Sequence, residues 1–357
     1  MNALLVGDFN DIEREQIAKA AARAGTTTVF CPSVSKGLQR MRSGHELPTC
    51  VLVSGDADVK QLVEGIRDEA GLFAVTVLVL VPRPNVDGYR SAYLAGADDV
   101  VIAADLGGFT RRLANLSSNP AGGRPAATLG QAVVASKNEA SRRRLGRTLR
   151  QVGFEVAYAS NLDEVASMAN RPQRPTFAVV AGEVPPAGAV AAHGLRNVAK
   201  IGQLPVLFLT AEDAELAQQA DDQIGDATGK LLWFADEQSK AGFTDRRTSE
   251  RRLFSSVCSF REVGALQPSY AVTHNISRGG MYVRTLDPPR PQSMLWVELH
   301  APSSGTPIHL RARAMWQRLP GSARGALPPG FGLQIDAEQC PPGDMQAFLD
   351  GYAALPG

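Results

Sequence analysis

ARAGTTTVFCPS, residues 22–33, and RQVGFEVAYASN, residues 150–161, share one layout, with Gly25 and Gly153 in the same place 128 residues apart. In each, a helix-forming stretch ends at a glycine, the residue that best closes a helix in the left-handed conformation. A short β-branched and aromatic run follows, then a polar stop. Pro48 and Pro175, each just before the next apolar run, repeat the spacing at 127 residues. A period as long as a whole domain implies duplicated domains rather than a solenoid.

Outward from these segments, the first copy has apolar runs at Ala3–Val6, Thr26–Phe30, Cys50–Val53, Val75–Val81 and Val100–Ile102. Runs of this length suit strands buried on both faces. Between them lie helical stretches: DIEREQIAKAAARAG, capped by Asp8 or Asn10, then VSKGLQRMRSG and DVKQLVEGIRDEAG. The alternation predicts a doubly wound parallel sheet. The second copy predicts strands at Ala132–Ala135, Glu155–Ala159, Phe177–Ala181, Val206–Leu209 and Leu231–Phe234. SSNPAGGRPAATL, residues 117–129, has linker composition.

Beyond Trp233 the pattern changes. IHLRARAMW, residues 308–316, places Ile308, Leu310, Ala312, Ala314 and Trp316 on one face, and SYAVTHNIS, residues 269–277, also alternates. Period-two patterning predicts an antiparallel sheet with one solvated face, closed into a small barrel. It makes Trp316 a core residue and His274 an exposed one. GDMQAFLDGYAAL ends the chain as a helix. The predicted organisation is therefore multi-domain: two α/β doubly wound, flavodoxin-like domains at 1–116 and 130–236, a linker at 117–129, and an antiparallel β-barrel with a basic arm at 237–357.

The chain has 357 residues, with 37 Lys and Arg against 36 Asp and Glu. So even a balance argues against a general nucleic-acid coat, and no helix-turn-helix or basic helix is visible. The four cysteines, Cys31, Cys50, Cys258 and Cys340, show no metal-ligand or disulfide spacing. No apolar run could span a bilayer, and MNALLVGDFN lacks the features of a signal peptide. A cytoplasmic protein is expected. No nucleophile–base arrangement suggests catalysis, and no metal or other cofactor is expected.

YRSAYLAGADDVV (89–101) and NEASRRRLGRTLRQVGFEVAYASNLDEVASM (138–168) resemble bacterial response-regulator receiver domains. That resemblance implies an acidic pair for Mg²⁺, a phosphoacceptor Asp ending the third strand, Thr or Ser ending the fourth, and Lys ending the fifth. This chain departs from the pattern. Gly7 and Asp8 stand at the acidic pair in the first copy, Ser136 and Lys137 in the second. The acceptor positions hold Ser54 and Ala181. Val81 ends the fourth strand of the first copy, and Ala103 or Ala104 stands for the lysine. Thr210 survives in the second copy. Neither Ser54 nor Ala181 can form an acyl phosphate, so both copies are expected to be pseudo-receivers with no phosphoacceptor. Asp56 and Asp58 are expected to be solvated loop acids, and Arg142, Arg143 and Arg144 a solvated helix face.

DRRTSERR (245–252), THNISRGGMYV (273–283), RARAMW (311–316) and GFGLQI (330–335) together resemble a PilZ domain, the bacterial receptor module for cyclic di-GMP. The family pattern is RxxxR, then (D/N)xSxxG, a Trp-containing strand and a GxG strand. Arg247 and Arg251 match the first motif; Asn275, Ser277 and Gly280 match the second; Trp316, Gly330 and Gly332 match the rest. The resemblance implies a cyclic di-GMP site of Arg246, Arg247, Arg251, Asn275, Ser277 and Gly280. The chemistry suits it, because a guanidinium pairs with guanine O6 and N7 or with phosphate, and stacks on a base. The expected function is a non-enzymatic cyclic di-GMP effector. Its pseudo-receivers would contact protein partners, and a homodimer stays open. The alternative is a ligand-independent scaffold of a motility, pilus or chemosensory assembly.

Overall fold

The computed structural model describes residues 1–43, 46–68, 72, 75–84, 86–118, 129–183, 190–192, 195–209, 226–239, 250–300, 307–321 and 326–355. The first domain alternates β1 (Asn2–Val6), α1 (Asp11–Arg23), β2 (Thr27–Cys31), α2 (Val34–Arg42), β3 (Cys50–Ser54), α3 (Val59–Asp68), β4 (Thr76–Val81), α4 (Val86–Leu94), β5 (Asp99–Ile102) and α5 (Leu106–Ser117). Its strands are parallel in the order β2-β1-β3-β4-β5. That is the flavodoxin-like order. Asn10, rather than Asp8, starts α1: its side chain accepts from the Glu13 N–H at 2.9 Å, and the Glu13 carboxylate accepts from the Asn10 N–H at 3.0 Å. Gly25 takes φ +67° just past the helix, as a left-handed closing residue must. Helices cover both faces of the sheet, so β3 and β4 are buried along their whole length.

The second domain comprises β6 (Gln131–Ala135), α6 (Glu139–Gln151), β7 (Glu155–Ala159), α7 (Leu162–Ala169), β8 (Phe177–Ala181), β9 (Val190–Ala192), β10 (Leu195–Ile201), β11 (Leu204–Leu209) and α8 (Asp226–Ser239). Its sheet order is β7-β6-β8-β11-β10-β9. The first four of these are parallel, in the receiver-like order, but β10 and β9 join antiparallel. Two expectations are corrected here. Leu231–Phe234 is not a strand but the middle of α8, and the sheet extends instead through an unforeseen β9–β10 hairpin. The cause is burial on every side. Leu231, Leu232, Trp233, Phe234 and Ala235 are all buried, because α8 packs between the second sheet, α6 and the third domain. A short continuous apolar run cannot by periodicity alone be assigned to strand or helix. The expected domain limit at 236/237 consequently falls inside α8.

The third domain contains β12 (Arg252–Leu253), β13 (Val257–Glu262), β14 (Ser269–Ser277), β15 (Gly280–Arg284), β16 (Met294–His300), β17 (Pro307–Arg318), β18 (Gly330–Ile335) and α9 (Pro342–Ala354). Strands β14-β13-β16-β17-β18-β15 form an antiparallel barrel that closes by β14–β15 pairing, and β12 adds to β14. Ile308, Leu310, Ala312 and Ala314 do point inward, into a core that α9 completes with Phe348 and Tyr352.

The domains pack on one another. Helix α6 lies against α3, where Arg147 reaches Asp68 at 2.9 Å and Glu64 at 3.0 Å, and Gln151 donates to Asp98 at 2.9 Å. The barrel packs on α4, β5 and α5: Val257 and Val272 enter one core of the first domain, and Leu286 the other. This contact overturns the solvated-face expectation for β14, which is buried from Ala271 to Ser277. His274 is accordingly buried, not exposed. Among the described residues no helix is long and apolar enough to cross a membrane.

Candidate functional site

Ser54 ends β3 in a filled corner. A Cβ on Gly7 would come within 2.9 Å of the Ser54 Cβ, and Gly7 holds φ +121°. Gly55 N–H donates to the Leu80 carbonyl at 2.9 Å, closing the space on the other side. Of the two following acids, Asp56 is exposed, and Asp58 caps α3 by accepting from Gln61 N–H at 2.8 Å. In the second domain Ala181 ends β8, and Ser136 and Lys137 follow β6. Thr210 lies outside the described residues. Among the described residues no cluster of three or more His, Cys, Asp or Glu could hold a metal. The Arg142–Arg144 run is part exposed: Arg143 pairs with Glu139 at 2.6 Å, and Arg142 donates to the Ser136 carbonyl.

The barrel concentrates the other expected residues. The short strand β12 pairs Arg252 with Ile276 and Leu253 with Asn275. This register brings the residue before it, Arg251, onto the end of β14, where its Nη1 donates to Asn275 Oδ1 at 3.0 Å. Asn275 is buried, so this partner meets the requirement that a buried amide be hydrogen-bonded. Arg252 turns the other way. Its Nη1 donates to the carbonyls of Tyr352 (3.0 Å), Ala353 (3.0 Å) and Leu355 (2.6 Å), and its guanidinium lies 4.7 Å from the Tyr352 ring centre. The free carbonyls of a helix C-terminus attract a cation, so Arg252 clamps the arm to α9. Arg246 and Arg247 lie outside the described residues.

Ser277 and Gly280 face each other across the β14–β15 turn, and Ser277 Oγ donates to the Gly280 carbonyl at 3.2 Å. Gly280 allows close strand packing, since a Cβ there would collide with the Leu333 carbonyl. Gly330 does the same against the Val283 carbonyl.

Trp316 departs from expectation as well. A β-bulge between Ala314 and Trp316 shifts the strand's alternation. The indole therefore points outward, 40% exposed. It lies across Gly332, where a Cβ would strike it, and stacks on Tyr282 with ring centres 5.2 Å apart and planes at 18°. Registers place Asn275, Tyr282, Gly332 and Trp316 in one row across the outer barrel wall. His274 meets Tyr282 edge-on at 6.2 Å. Burial pushes the Tyr282 phenol well above its ordinary pKa. Its hydroxyl donates to the Pro328 carbonyl in the β17–β18 connection. The same connection is tied to the second domain, as Ala326 N–H donates to the buried Asp236 of α8 at 3.1 Å. The expected site thus sits against α8. The sequence pattern does not reveal the Tyr282–Trp316 stack or the Asp236–Ala326 contact, because a bulge and an interdomain contact set them.

Residues 245–347 match the sequence profile of the PilZ domain. No curated protein matched the chain. Among solved structures, a response regulator of red-light signalling in R. palustris is similar, with 17% identity and a TM-score of 0.28 over 32% of this chain and 91% of that one. A putative response regulator from Chloroflexus aurantiacus gives 18% identity and a TM-score of 0.28 over 32% and 96%. The PilZ domain of YcgR from Escherichia coli, solved with c-di-GMP, gives 14% identity and a TM-score of 0.24 over 31% and 92%. Residues 245–347, which include the barrel strands, are a PilZ domain, and it follows two α/β domains of receiver-like topology.

Proposed function

We propose that this chain is a non-enzymatic cyclic di-GMP effector in bacterial signalling. Its PilZ barrel binds the nucleotide, and its pseudo-receivers serve as protein-contact modules. The single observation that carries this reading is Arg251 seated on Asn275 beside Ser277, inside the segment that matches the PilZ profile. PilZ and receiver-like domains are characteristically binding and regulatory modules, which supports a non-catalytic role.

The chemistry follows from these groups. A ligand phosphate or guanine edge competes for the Arg251 fork, which favours an anion over a neutral amide. Release of Arg251 frees Asn275 Oδ1 to accept a guanine N–H. Arg246 and Arg247, in the ten residues 240–249 that join α8 to Glu250, supply further cations. Drawing that short segment onto a ligand bears directly on α8, the helix that links the barrel to the second domain. The change in α8 packing is then the output, because a ligand shifts conformations only through its differential affinity for them.

Calorimetry with cyclic di-GMP on the whole chain tests binding, and hydrogen exchange tests the relay. Protection is expected at 250–253 and in α8. Binding with protection confined to the barrel would leave a receptor that does not relay through α8. A ligand-independent scaffold is the second reading. The closed packing of all three domains favours it, and saturating cyclic di-GMP would then give no heat.

A further inference from the structure

The outer wall of the barrel carries a hollow on β13, β14, β16 and β17. Cross-strand registers set Arg261 beside Trp296 and Trp296 beside Arg311. The adjacent row runs Tyr270, Ser259, Glu298, His309. Ser259 is the small member of that grid, and the space over it is a cavity of about 390 Å³ walled by Tyr270, Arg261, Trp296 and Glu298. Trp296 is 39% exposed, so part of its ring is open to solvent at the hollow. The Arg311 guanidinium lies 4.4 Å from its ring centre, which orients the ring. Arg313, also exposed, follows on β17. The Arg251–Asn275 pair lies at the other end of β14, next to β12.

We propose that this hollow is a second nucleotide site, and that it takes a guanine base. Arg311 covers one face of Trp296, and the hollow, which Arg311 does not line, lies against the rest of the ring, on which any base stacks. The choice of base comes from Arg261 and Glu298 at the hollow's edges; His309, which also lines it, faces Glu298 at 3.7 Å and leaves the carboxylate's other oxygen to a ligand. The Arg261 fork matches O6 and N7 of guanine. The Glu298 carboxylate is an acceptor only, and guanine alone among the purines presents N1–H and N2–H₂ together as donors to it. Adenine presents a lone pair at N1, which a carboxylate repels. Arg311, over the ring, and Arg313, next on the same face of β17, make the surface around the indole positive, which suits the phosphate of a nucleotide. The site stands on residues separate from those of the proposed effector site and does not depend on that reading.

The test is titration of the whole chain with guanosine monophosphate and adenosine monophosphate, by calorimetry and tryptophan fluorescence. Saturable binding of the guanine nucleotide is expected, about tenfold or more tighter than that of the adenine nucleotide. Trp296→Ala should abolish it, Trp296→Phe should retain it, and Glu298→Gln should bring the two nucleotides close to parity. Arg251→Ala should leave it unchanged, which separates this site from the other. No saturable binding, equal affinity for the two nucleotides, full binding by Trp296→Ala, or loss in Arg251→Ala would each overturn the proposal.

Discussion

The Arg112 guanidinium pairs with the Asp99 carboxylate at 2.9 Å inside the first domain, and the same Asp99 Oδ2 accepts the Leu286 N–H at 2.7 Å and the Thr285 hydroxyl at 3.1 Å from the barrel. Tyr93 donates to the other oxygen at 3.1 Å. One buried carboxylate therefore holds an ion pair within a domain and the contact between two domains. Breaking it by Asp99→Ala leaves a buried Arg112 with reduced compensation, and should cost about 3–5 kcal/mol. Arg111 binds Asp287 from a half-exposed position, so Arg111→Ala should cost under about 1 kcal/mol. Denaturant unfolding of both variants checks the contrast; equal losses would contradict it.

Asp287 gives this contact a pH dependence. Burial, only partly opposed by Arg112 and Arg111, raises its pKa above the ordinary 3.8. A group whose folded pKa is raised contributes stability below its unfolded pKa and loses that contribution as pH rises through the folded one. Wild type should therefore gain stability relative to Asp287→Asn as pH falls through the carboxylate range, about 5 to 3. Unfolding midpoints for the pair across that range decide the sign.

At the ligand site, Arg247→Ala and Arg251→Ala should each weaken cyclic di-GMP binding by about 2–4 kcal/mol, through loss of a charge-assisted bond. Ser277→Ala should cost about 1 kcal/mol, partly in stability, since its hydroxyl serves the Gly280 carbonyl. Calorimetry on the variants measures both. Arginine variants that bind like wild type would remove the motif assignment.

Acetyl phosphate should leave the chain unmodified. Ser54 and Ala181 stand at the strand ends, and a Cβ on Gly7 would crowd Ser54 at 2.9 Å. Intact-mass spectrometry is the check; a Mg²⁺-dependent phosphoryl adduct on any aspartate would contradict the expectation.

All four cysteines are buried. Burial pushes the Cys50 and Cys258 thiols up to about 12 and raises Cys31 and Cys340 as well. Since the thiolate is the reactive form, iodoacetamide near neutral pH should label none of them until the protein unfolds. Rapid labelling of Cys50 or Cys258 in folded protein would count against this packing.

The sequence by itself determined the duplicated α/β order, the barrel and the residues of its motif. Local rules suffice there: a buried parallel strand needs a continuous apolar run, helix α1 needs Asn10 and Gly25 at its ends, and β17 needs alternating apolar residues. The tertiary structure decided what surrounds those elements. LLWFA became the centre of α8 because three neighbours bury it on all sides. His274 became buried because the first domain covers β14, and Trp316 turned outward because one bulge reversed its face. Arg251 and Asn275, 24 positions apart, meet only through the β12–β14 register. Asp99 and Leu286 meet only through domain packing. Contacts between distant segments depend on which surfaces remain to be covered once each domain has folded, and no local pattern in the chain encodes that.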